Sequence, residues 1–122
     1  MTILDTNILI RYLLNDNEEL SNKATEIIEK NNVFITNEVI IEVAYVLQKL
    51  YQIDKKVIFS LICELISFDN IHFENKNLIL TTFDTFRKYS MDIVDCMLYA
   101  YHKCNDSDVL TFDKKLEKLL NT

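Results

Sequence analysis

The chain has 122 residues, 49% of them hydrophobic and 26% charged, with a formal net charge of −6 at pH 7. That length supports one domain, 1–122, around one core, and the composition is that of an ordinary globular protein. Gly and Pro are both absent, which excludes a P-loop or a dinucleotide-binding fingerprint, since both need glycines where backbone meets phosphate.

Residues 2–4 form a short apolar run bounded by Asp5, too short for a helix, and predict a buried strand. Residues 7–14 are helix-like, and residues 19–30 show helical spacing through Leu20, Ala24, Ile27 and Ile28. A second strand is expected at 33–35, then strong helices at 38–51 and 55–68, then a third strand at 71–73. Helices at 78–89 and 92–104, a fourth strand at 109–111 and a closing helix at 114–120 complete the chain. Strands separated by helices imply crossovers and a mostly parallel sheet. Without glycine, turns fall to Asn and Asp, which tolerate left-handed backbone best among the other residues. Asn15-Asp16-Asn17, Asn31-Asn32, residues 75–77 and Asn105-Asp106-Ser107 stand where turns are needed.

In such sheets ligands bind beyond the carboxyl ends of the strands. Asp5 falls just past the first strand and Asp113 just past the last, although each also suits an N-cap. Glu42 is the one charged residue between Val39 and Leu47, in a helix apolar around its circumference, so burial of its carboxylate is expected, the alternative being an ion pair or escape to solvent beside Glu38 and Lys49. A buried carboxylate is normally paired or metal-bound. Asp95 lies opposite the face formed by Ile93, Met97, Ala100 and Cys104, and Asp92, three residues earlier, is its rival. Thr111, two residues before Asp113, is placed to donate a hydrogen bond that orients that carboxylate.

Carboxylates converging on one cleft repel unless cations hold them, and oxygen-only ligands select hard ions such as Mg²⁺ or Mn²⁺. Two such ions can activate water and neutralise the leaving oxygen of a phosphodiester. Their charge would also reconcile an acidic chain with a nucleic-acid substrate. Arg11, Lys114 and Lys115 are candidate phosphate contacts at the rim. The Phe and Tyr residues fall at core spacing and read mostly as packing. Cys63, Cys96 and Cys104 form no CxxC pair and read as buried or half-buried thiols of a reducing compartment. No apolar run reaches the length of a membrane span and the first residues lack a secretory pattern, so no membrane partner and a cytoplasmic location are expected.

The motifs resemble those of PIN-domain proteins, in particular the VapC-type toxins of prokaryotic toxin–antitoxin pairs. Asp5-Thr6-Asn7 resembles the family's opening DTN, and Thr36 to Glu42 is similar to the stretch where Ser or Thr precedes the family's Glu by six. Asp92-Ile93-Val94-Asp95 resembles the third acidic segment, and Thr111-Phe112-Asp113 the closing TFD. The resemblance implies a three-layer α/β/α fold, with a sheet of four strands or five. It also implies a metal-dependent endonuclease for single-stranded RNA, a homodimer, and inhibition by a cognate antitoxin. It assigns ligand roles to Asp5, Glu42, Asp95 and Asp113, choosing Asp95 over Asp92, with Asn7, Thr111 and Asp92 in support. One departure is Ser90-Met91, where the family usually has a glycine. Two other functions fit less of the pattern. One is a PIN nuclease for RNA processing without an antitoxin. The other is a Mg²⁺-binding phospho-receiver domain, which needs an acidic neighbour that Asp5 lacks.

Overall fold

A computed structural model describes residues 1–122. Its element order is β1 (Thr2–Ile3), α1 (Thr6–Leu14), α2 (Glu18–Glu29), β2 (Val33–Ile35), α3 (Asn37–Lys49), α4 (Lys55–Ser67), β3 (Ile71–Phe73), α5 (Lys76–Lys88), α6 (Ile93–Asn105) and α7 (Lys114–Leu120). The fold is thus parallel α/β, as the alternation of short apolar runs and long amphipathic stretches predicts. The sheet has the order β1-β2-β3, with Thr2 against Val33 and Val33 against Ile71. No residue of β2 or β3 is exposed, as befits parallel strands covered on both faces.

The expected fourth strand does not form. Residues 109–111 make no ladder with β1 or any other strand, and Leu110 is 96% exposed. The run's apolar character matched that of a strand, but a strand exists only through a hydrogen-bonded neighbour. The counterpart of that missing ladder is β1 itself, which is an open edge with Ile3 65% exposed. No fifth strand is present either.

The helices begin where polar side chains accept the first turn's free N–H groups. Asn17 accepts from Leu20, Thr36 from Val39, Asp54 from Lys56 and Asn75 from Leu78. Asp5 and Asp113 do the same for α1 and α7. Each such cap contributes about 1 kcal/mol. Asn75 therefore starts a helix rather than making a left-handed turn. Left-handed backbone occurs at Asn15 and Asp106, both in expected turns, and at Gln52, which no sequence signal marks.

The core joins Leu4 to Leu9 and Ile10 of α1, Ile40, Val43, Ala44 and Leu47 of α3, Phe83 and Phe86 of α5, and Cys96 and Met97 of α6. Cys96 is buried, and that burial pushes its thiol up to about 12. Cys63 is half-buried, whereas Cys104 is exposed, contrary to its place on the apolar side of the helical wheel. No helix is long and apolar enough to cross a membrane.

Candidate active site

Asp95 sits in the first turn of α6, half-buried, and lines a cavity of about 590 Å³ with Asp92 and Asp113. The wheel could not place Asp95 beside other acids, because a wheel describes one helix and not its neighbours. Here the start of α7 meets the start of α6, which brings Asp113 to the same cavity. Burial raises the Asp95 carboxyl above its ordinary range, and the charges of Asp113 and Asp92 raise it further. Three carboxylates thus face one space at a cost to the charged form of the middle one.

Asp92 differs from the residues that start the other helices. It occupies the N-cap of α6, yet its carboxylate makes no cap hydrogen bond. Its oxygens stay free for the cavity. Asp113, by contrast, accepts from the Leu116 N–H at 2.9 Å, and its own N–H donates to Thr111 Oγ1 at 3.0 Å. Thr111 therefore fixes the Asp113 backbone rather than donating to its carboxylate, as the sequence suggested.

Lysines share the cavity without neutralising the acids. Lys49, Lys55, Lys114 and Lys115 line it, and none forms an ion pair with Asp92, Asp95 or Asp113. Lys55 and Lys115 donate to the carbonyls of Tyr89 and Ser90 at 3.0 and 3.2 Å, clamping the turn that leads into α6. Lys49 and Lys55 were not singled out by the sequence; a lysine at either end of a helix carries no periodic signal. Arg11 was, but it is engaged by Asp16 at 2.9 Å and does not line this cavity.

Glu42 takes the solvent-facing alternative rather than the expected burial. It is exposed, not buried, because the turn of α3 that carries it faces an open groove lined by Ile41, Tyr45, Ile93, Met97 and Tyr101. Glu38 and Glu74 line the same groove, and Glu74 Oε2 accepts from the Asn37 N–H at 2.7 Å. Beside them the buried Asn37 Oδ1 has no hydrogen-bond donor. Asp5 is exposed and lines neither space; its Oδ1 accepts from the Thr6 N–H at 2.7 Å. Asn7 is exposed as well.

The acids are therefore grouped as Asp92, Asp95 and Asp113 in one cavity, Glu42 in an adjoining groove, and Asp5 at the end of β1. Their oxygen-only chemistry suits a hard divalent cation. As they stand, no three His, Cys, Asp or Glu side chains surround one point as metal ligands would.

The family model described as PIN domain matches residues 2–120, so all of these acids fall inside the match. The chain belongs to the PIN domain family. PIN domains are nucleases that generally depend on divalent metal ions. No curated protein matches the chain, and no solved structure matches it.

The raised Asp95 carboxyl gives this PIN domain a pH-dependent stability. The folded state keeps the proton to higher pH than the unfolded chain, so the unfavourable contribution is absent below the ordinary value of 3.8, grows as pH rises from there to the folded value and is constant above it. In metal-free buffer at pH 7, Asp95→Asn should melt above wild type, and the gap should close as pH falls to the ordinary carboxyl range. Thermal melts across that range check the expectation; a gap that widens on acidification contradicts it.

Proposed function

We propose that this PIN domain is an endoribonuclease that hydrolyses phosphodiester bonds of single-stranded RNA, and that it is the toxin of a VapC-type toxin–antitoxin pair. The observation that carries the nuclease reading is the cavity in which Asp92, Asp95 and Asp113 stand among four lysines without pairing to them. Groups of both signs left unpaired suit a cation and a phosphate held together. In this reading Asp5, Glu42, Asp95 and Asp113 hold Mg²⁺ or Mn²⁺, with Asp92, Asn7 and Thr111 in support. When bound, the cation supplies positive charge to the phosphoryl oxygens and a more acidic water. Lys114 and Lys115 contact the substrate's phosphates. The toxin assignment draws on the four motifs in order and brings with it a homodimer, a cognate antitoxin and a cytoplasmic site of action.

The test is cleavage of an end-labelled single-stranded RNA by the purified chain, with Mg²⁺ or Mn²⁺ and with EDTA. Cleavage with either metal and none in EDTA is expected; no cleavage under any condition overturns the nuclease reading. Expression of the chain alone should arrest bacterial growth. Cleavage in vitro without arrest would overturn the toxin role and leave an RNA-processing nuclease.

A further inference from the structure

Phe112 stands out on the surface of this fold. It is 101% exposed, yet it sits between two structured elements and lines the cavity of Asp92, Asp95 and Asp113. Met91 is the other hydrophobic residue of that lining. Phe112 has no aromatic or cationic partner of its own. The backbone beside it is held by the hydrogen bond from Asp113 N–H to Thr111 Oγ1, and the cap on Leu116 fixes the next residue. An unpacked ring next to free ammonium groups is a combination that binds single-stranded nucleic acid. Bases stack on the ring while cations track the backbone.

We infer that Phe112 is a stacking platform for an unpaired base of the substrate, and that Lys49 and Lys114 hold the phosphates on either side of the Asp95 cavity. The inference deepens the nuclease reading and rests on it, since it names how that same cavity selects a single strand. Lys49 comes from the last turn of α3 and Lys114 from the first turn of α7, so they approach the carboxylates from different elements. Neither makes an ion pair, unlike Arg11, Lys23, Lys30, Arg87 and Lys88. A base locked in a duplex presents its edge, not its face, so a stacking ring discriminates against paired strands. Stacking is tolerant of base identity, so selection here is for unpaired character rather than sequence.

The experiment measures binding of the full chain, with Ca²⁺ in place of Mg²⁺ or Mn²⁺ so that the acids stay neutralised while cleavage is suppressed, to a fluorescent single-stranded RNA, the same sequence as DNA, and the RNA duplex. Wild type should prefer the single strands to the duplex, and the RNA and DNA arms then identify the sugar it accepts. Phe112→Ala should weaken single-strand binding by roughly ten- to a hundred-fold, with Phe112→Tyr restoring most of it. Lys49→Ala and Lys114→Ala should each lower the slope of log single-strand affinity against log salt by about 0.7. The chain has no Trp, so Phe112→Trp adds a unique fluorophore, which a stacked base should quench. Unchanged affinity in Phe112→Ala, or an unquenched tryptophan in saturating RNA, overturns the inference. So does a shift in sedimentation with Phe112→Ala at unchanged affinity, which would make the ring a protein contact. The two readings fail separately. Cleavage that survives Phe112→Ala with unaltered KM removes the platform and leaves the nuclease. Failure of wild type to bind any single strand overturns the platform, and absence of cleavage with metal is what removes the nuclease.

Discussion

Asp95→Asn should lower hydrolysis of single-stranded RNA by roughly a thousand-fold or more while leaving the fold intact. The side chain keeps its shape and loses its charge at the middle of the three acids in the cavity. Folding should not suffer, because the charged form of Asp95 is disfavoured by its burial and by Asp113 and Asp92. Circular dichroism and the melting curve would establish the fold, and single-turnover cleavage the loss. The variant's higher melting temperature without metal should disappear when Mn²⁺ stabilises wild type, since a ligand that binds only the folded state raises its stability. Full activity in Asp95→Asn would remove this residue from the chemistry.

Glu42→Gln is the second large effect, expected as loss of cleavage and of growth arrest with no loss of stability. Glu42 is exposed and in no ion pair, so the amide costs the fold almost nothing. That makes the substitution a clean reporter of charge. The proposal places Glu42 among the residues that hold the cation, although it faces the groove beside the Asp95 cavity and not the cavity itself. Growth curves at matched soluble protein levels, with cleavage assays on the purified variant, read the outcome. Equal arrest by wild type and Glu42→Gln would confine the chemistry to the cavity of Asp92, Asp95 and Asp113.

Much of this protein is written in its sequence because short-range rules decide it. The alternation of buried runs with helical spacing set the parallel α/β class, and β2 and β3 fall on the residues expected of them. The N-caps that the sequence offers at Asp5 and Asp113 are made, because a capping side chain satisfies an N–H group within its own first turn. The four acidic motifs are equally local, which is why a family resemblance could be read from them. What no local rule contains is the neighbour. Residues 109–111 have the character of a strand but form no ladder with the open edge of β1, so their backbone stays outside the sheet and Phe112 is left in solvent. Glu42 lies in an apolar stretch, but burial depends on what packs against each face of α3, and the face that carries it meets a groove. The company Asp95 keeps is decided in the same way. Periodicity marked it as a surface acid of one helix, and only the meeting of α6 with α7 puts Asp113 beside it, because the field at a carboxylate is set by charges near in space.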